Sequence, residues 1–129
     1  MTTQGAFILG CAGPRLTANE RAFFRDAAPW GFILFSRNIE DPEQVRWLTT
    51  ELREAVGREA PVFIDQEGGR VARLRAPHWR EWIAPLDQVA QNRRHAARAM
   101  QIRYRLIADE LHRIGIDGNC APVLDLAQS

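Results

Sequence analysis

Val62-Phe63-Ile64-Asp65-Gln66-Glu67-Gly68-Gly69-Arg70-Val71-Ala72-Arg73-Leu74 passes from a β-branched and aromatic stretch straight into two acids, two glycines and two arginines. A buried strand gives this pattern when it delivers polar side chains to a loop above a sheet. In parallel α/β folds chemistry gathers at the carboxyl ends of strands, where loops vary on a fixed scaffold. The run therefore predicts a strand over residues 61–64, ending at Asp65.

Outward from this strand, short apolar runs alternate with segments of helical period. Ala6-Phe7-Ile8-Leu9-Gly10, bounded by Gly13-Pro14, suits a buried strand. Thr17-Ala18-Asn19-Glu20 has capping-box spacing and opens a helix to about Ala28, which Pro29 ends. Phe32-Ile33-Leu34-Phe35 is apolar at every position, as in a parallel sheet with helices on both sides. Asp41 caps the next helix, Pro42 fits its first position and Gln44 is expected to complete a capping box. Val45, Leu48, Leu52 and Val56 then recur at helical spacing as far as Gly57.

Downstream, residues 75–92 are irregular: a long loop with a turn or two of helix, packed by Trp79 and Trp82. Residues 93–114 predict a long helix whose stripe Met100, Tyr104, Ile107, Leu111 and Ile114 packs against the sheet. Gly115 ends it, and residues 116–126 supply another strand region, broken by Pro122. The order β-α-β-α-β-loop-α-β implies right-handed crossovers and a parallel sheet.

Composition narrows the function. Hydrophobic residues make up 46% and charged residues 26%, ordinary for a globular domain. A formal net charge of +1 offers no electrostatic case for nucleic acid. All 17 basic residues are arginine, which excludes a lysine Schiff base and a Walker-type phosphate loop. Cys11 and Cys120 are isolated, so neither a disulfide framework nor a metal site is indicated, and both are expected as buried or half-buried free thiols. The apolar stretch at residues 6–12 has no basic residue before it and no cleavage site after it, and no run is long enough to span a bilayer. The expectation is a cytoplasmic protein without membrane partner; oligomeric state is not legible.

Three strand ends are polar: Arg37-Asn38, Asp65 to Arg73, and Asn119 to Asp125. In a parallel sheet they converge on one rim. Pyranose hydroxyls both donate and accept, so a sugar site pairs a carboxylate, which only accepts, with an arginine, which only donates. Asp65 and Arg73 form such a set, or else a plain salt bridge closing the loop. Glu67 and Arg70 are expected to pair as scaffold around the Gly68-Gly69 turn, where glycine permits positive φ or close backbone approach. Asp65 and Glu67 are also candidates for an acid–base pair, since retaining glycosidases set two carboxyls ~5–5.5 Å apart. His95 and His112 read as surface residues. His78, beside Trp79, is the one histidine placed for the rim, with loop packing preferred. Asp125 either faces the rim or bonds nearby backbone.

The Asp65–Arg73 run resembles the signature of bacterial β-N-acetylhexosaminidases of glycoside hydrolase family 3. Gly31-Phe32-Ile33-Leu34-Phe35-Ser36-Arg37-Asn38 with Asp41-Pro42-Glu43-Gln44, and Asn119-Cys120-Ala121-Pro122-Val123-Leu124-Asp125, match the same family, so the resemblance covers roughly residues 25–126. It implies a (β/α)8 TIM barrel. At ~250 residues for a full barrel, the 129 residues correspond to its amino-terminal half, about four β/α units of a single domain.

The resemblance further implies removal of terminal β-linked N-acetylglucosamine from cell-wall fragments by a retaining mechanism, without cofactor or metal. It assigns Asp65 and Arg73 to contacts with the non-reducing-end sugar, and puts the nucleophilic aspartate and the histidine general acid beyond residue 129. It thereby argues against Asp65 and Glu67 as the catalytic pair and leaves no catalytic residue in this segment. The rival from another class is a non-catalytic carbohydrate-binding or scaffold fragment. A phosphate-binding domain is disfavoured, because no glycine-rich loop follows the first strand.

Overall fold

The computed structural model describes residues 4–124. Among these, the elements in chain order are β1 (Gly5–Leu9), α1 (Ala18–Ala27), β2 (Pro29–Leu34), α2 (Pro42–Val56), β3 (Val62–Ile64), β4 (Gln66–Gly68), β5 (Val71–Ala72), α3 (Pro85–Gln91), α4 (Ala96–Arg113) and β6 (Gly118–Asn119). Single 3-10 turns lie at Ser36–Asn38 and Arg93–His95.

Four strands pair in the order β1-β2-β3-β6, all parallel, while β4 and β5 form a separate antiparallel hairpin. Spatial order equals chain order in the parallel sheet, so each crossover moves it in the same direction. A doubly wound sheet reverses at a switch point and carries helices on both faces. This one does not reverse. Phe32, Leu34, Val62 and Ile64 are fully buried in one cluster with Phe24 of α1, Val45, Leu48 and Leu52 of α2, and Ile107 and Leu111 of α4. The other face presents Trp30, exposed, stacked on Phe63 at 5.7 Å between ring centroids. The expectation of helices on both sides is thus corrected: the buried residues of α1, α2 and α4 pack in one cluster with Phe32 and Leu34 of β2, while Phe63 on the other face meets exposed Trp30.

Local signals set most boundaries. The α1 capping box forms as expected, with Glu20 N donating to Thr17 Oγ1 at 3.2 Å and Thr17 N donating to Glu20 Oε2 at 2.9 Å. Asp41 caps α2, its Oδ1 accepting from Gln44 N at 2.9 Å. Gln44 does not close a second box. Its Oε1 accepts from Glu40 N at 2.8 Å, and its Nε2 donates to the carbonyls of Pro14 and Asn38, because burial against the β1–α1 loop offers those partners instead.

Two further differences concern the second half. The long helix begins at Ala96 after the 3-10 turn, three residues later than its periodicity predicts. The final strand is two residues, Gly118–Asn119, with Asp125 and Leu126 outside the described residues. No helix among the described residues is long and apolar enough to cross a membrane.

Candidate functional site

Strand β3 is hydrogen-bonded on both sides, to β2 and β6, and so fixes the backbone from which Asp65 projects. At its carboxyl end Arg73 NH2 donates to Asp65 Oδ2 at 2.8 Å, and both side chains remain about a quarter exposed. The predicted donor–acceptor set therefore exists as a contact pair at the rim, open to solvent. An ion pair of this kind leaves each partner further hydrogen-bonding capacity, since a carboxylate accepts at two oxygens and a guanidinium offers five donors.

Why residue 73 returns to residue 65 is explained by Gln66. Its side chain is buried, with Oε1 accepting from Arg73 N at 2.8 Å and Leu74 N at 3.0 Å, and Nε2 donating to Leu74 O at 2.9 Å. Its backbone is held in turn by Asn119, whose Oδ1 accepts from Gln66 N and whose Nδ2 donates to Gln66 O, each at 2.9 Å. One amide thus sews the hairpin to the end of β3, and a second ties that junction to β6. At the tip, Gly68 and Gly69 adopt φ of 103° and 63°, the region that favours glycine.

The neighbouring strand ends converge as expected. After β2, Arg37 lies over the Phe35 ring at 4.9 Å from its centroid and donates through Nε to Cys11 O at 3.0 Å. The Arg73 guanidinium lies 5.8 Å from the same centroid. Asn38, in contrast, turns inward: it is fully buried, accepts from Phe35 N and donates to Cys11 O and Gly13 O. After β6, Cys120 N donates to Ile64 O at 2.9 Å. Residual desolvation pushes the Cys120 thiol up, and the nearby Asp65 and Glu67 carboxylates push it further. Cys11 is the more buried thiol, pushed up to about 11 chiefly by burial. Cys120 itself is exposed, which corrects the expectation of two buried or half-buried thiols.

Not every predicted contact forms. Glu67 and Arg70 make no ion pair among the described residues, and Arg70 is exposed. The Gly68-Gly69 turn is held by backbone groups instead. Gly69 N donates to Trp82 O, Arg75 donates to the carbonyls of Gly69 and Arg70, and Arg103 donates to Glu67 O. A tight glycine turn exposes carbonyls, which accept from the arginines of adjacent segments; a carboxylate, itself only an acceptor, cannot satisfy them. His78 is exposed on the 75–84 loop, its ring edge-on to that of buried Trp79 with centroids 5.8 Å apart. His95 and His112 are exposed. Asp125 lies outside the described residues.

Sequence reasoning missed Gln66, Asn119 and Arg103 as supports of the rim. For Arg103 a signal existed: it lies three residues after Met100 and four before Ile107, within the apolar stripe of α4. A recess between α4 and β6, lined by Tyr104, Leu111, Ile116 and Pro122 among others, lies along the flank of the sheet and does not include Asp65 or Arg73.

Comparison with known proteins places this geometry. The family described as "Glycosyl hydrolase family 3 N terminal domain" matches residues 9–129. A curated beta-hexosaminidase of Pseudomonas aeruginosa is 39% identical over 123 residues, covering 95% of this chain and 36% of the relative. One of Xanthomonas axonopodis pv. citri is 37% identical over 125 residues, covering 94% and 37%. The structure of NagZ from Neisseria gonorrhoeae in complex with N-trifluoroacetyl-D-glucosamine superposes with a TM-score of 0.84 at 34% identity, covering 95% of this chain and 37% of that one. The chain thus spans somewhat more than a third of the relatives it matches, and its four sequentially ordered parallel strands are the amino-terminal portion of their barrel-type fold. The chain belongs to glycosyl hydrolase family 3, within that family's amino-terminal domain.

Proposed function

We propose that the chain is the amino-terminal part of a single barrel domain that removes terminal non-reducing N-acetyl-β-D-glucosamine, with Asp65 and Arg73 binding that sugar. The observation that carries the reading is the 2.8 Å Asp65–Arg73 pair at the carboxyl end of β3, partly open to solvent. These residues stand where the resemblance puts sugar contacts, and a gonococcal relative is described in complex with an N-acylated glucosamine. The carboxylate accepts from a hydroxyl while the guanidinium donates to an oxygen, a division of labour that fits vicinal hydroxyls on one pyranose. Gln66 and the hairpin keep the two groups in register, so little ordering is left for the moment of binding.

The reading extends to a retaining double displacement on peptidoglycan-derived muropeptides in the cytoplasm, with nucleophile and acid supplied by segments outside this chain. The resemblance supports each of these. The anomer of the first-formed product, followed by NMR, tests retention.

The test of the site is Asp65→Asn in the enzyme that carries this segment. A hydrogen bond to a charged group is worth about 1.5–3 kcal/mol, so kcat/KM should fall roughly ten- to hundredfold. Arg73→Met should give a loss of similar size. Unchanged kcat/KM in both variants would remove the sugar-contact role and leave a plain salt bridge. Sugar binding without turnover in the parent enzyme would favour the non-catalytic carbohydrate-binding reading.

A further inference from the structure

Arg103 is only 1% exposed, and no carboxylate lies within ion-pair distance of it among the described residues. A buried cation without a counter-ion carries a desolvation cost that neutral acceptors must offset. Its acceptors come from three segments. NH2 donates to Glu67 O in the β4–β5 hairpin and, at 2.8 Å, to Ile83 O in the following loop, while NH1 donates to Gln88 Oε1 on α3. The guanidinium also lies 5.3 Å from the centroid of Trp82. Gly68 completes the fit, since a Cβ there would stand 2.0 Å from Arg103 NH2.

We infer that Arg103 is a positioning residue for the proposed sugar pair, fixing the tip of the hairpin that returns Arg73 to Asp65. The inference rests on the sugar-site reading but goes beyond it, because Arg103 is on α4 and contacts neither Asp65 nor Arg73. Gln66 binds the backbone of Arg73 and Leu74 at the root of the hairpin, Trp82 O and Arg75 hold its Gly69-Arg70 turn, and Arg103 binds Glu67 O beside that turn. Of these contacts, only that of Arg103 joins the hairpin to α3 and α4. A forked donor suits this place: one planar group reaches three acceptors in fixed directions, which an ammonium or an apolar side chain does not do.

The experiment compares Arg103→Met, Arg103→Lys, Asp65→Asn and the Asp65→Asn/Arg103→Met double variant in the enzyme that carries this segment. It reads N-acetylglucosamine affinity together with amide hydrogen exchange. Arg103→Met is expected to weaken the sugar by roughly tenfold, as misplacement of a binding group does. Arg103→Lys recovers part of that affinity. The double variant loses little beyond Asp65→Asn alone, because both changes disable one site. Exchange should accelerate at Gly69 and Arg73 while Leu34 in the sheet stays protected.

Full additivity, or unchanged affinity and exchange, overturns the inference. Should Arg103→Met expose Leu34 as well, Gln88→Leu takes its place, removing one acceptor on α3. It must then speed exchange selectively at the hairpin, and a uniform or absent effect overturns the inference. If Asp65→Asn leaves sugar affinity unchanged, the sugar reading fails by itself, and selective exchange at Gly69 and Arg73 still decides whether Arg103 holds the hairpin.

Discussion

Asn38 shows how a polar residue in the rim motif is spent on structure. Its neighbour Arg37 reaches solvent beside Phe35, whereas Asn38 is fully buried and satisfies Phe35 N, Cys11 O and Gly13 O with one amide. Truncating it leaves Phe35 N without its partner and takes a donor from Gly13 O and from Cys11 O, the last of which keeps Arg37 Nε; a buried group left unmet costs about 1–3 kcal/mol. Asn38→Ala should therefore destabilise the protein by about 1–3 kcal/mol, allowing for relaxation. Urea unfolding should show a lowered midpoint with the slope unchanged. An effect within experimental error would mean that the β1–α1 loop is held by Gln44 and Arg37 alone. From sequence, Arg37 and Asn38 look equivalent. They differ because the 3-10 turn after β2 rotates one side chain outward and the next inward.

Between elements, Glu51 is the main electrostatic link. It lies on α2 and accepts from Arg15 NH2 at 2.8 Å, Arg21 NH2 at 2.7 Å and Leu16 N at 3.2 Å, so one carboxylate docks the start of α1. Burial opposes its ionisation, but the hydrogen bonds from Arg15 and Leu16 and the charges of Arg15 and Arg21 outweigh burial, and its pKa is held below the usual glutamate value. A carboxyl depressed on folding adds stability that is complete above its unfolded pKa, ~4.3. That stability is lost as pH falls through the lower folded value. Wild type should thus lose stability on acidification below about pH 5 more steeply than Glu51→Gln does. Glu20, depressed by its capping-box hydrogen bonds against a burial penalty, leaves the variant a residual slope. Chemical unfolding at several pH values separates the two, and parallel acid limbs would show that Glu51 contributes nothing by its charge.

At the scale of the molecule, helices cover one face of the sheet and the other is left apolar. Phe7, Ile8 and Trp30 are exposed there or at the β1 edge, and β1 and β6 each have one side unpaired among the described residues. Unpaired edges and apolar faces seek partners. A polypeptide of these 129 residues alone should therefore self-associate or require the rest of a barrel. It should also release no 4-nitrophenol from 4-nitrophenyl N-acetyl-β-glucosaminide, since glycoside hydrolysis needs an acid and a nucleophile or activated water. Turnover abolished by Glu67→Gln would place the chemistry in this segment and refute the assignment of catalysis to the remainder.

Sequence by itself determined the α/β alternation, the Thr17 and Asp41 caps and the strand-end position of Asp65. Each of these rests on interactions within a few residues or on strand-end patterning. Tertiary structure alone decided the rest: that Gln44 binds Pro14 and Asn38, that arginine and backbone groups rather than a Glu67–Arg70 pair hold the glycine turn, and that Gln66 and Asn119 secure the rim. The physical reason is that a buried polar group must be satisfied by whatever packing brings within reach. Those partners lie up to 53 residues away in the chain, as Gln66 and Asn119 do, where no local periodicity records them.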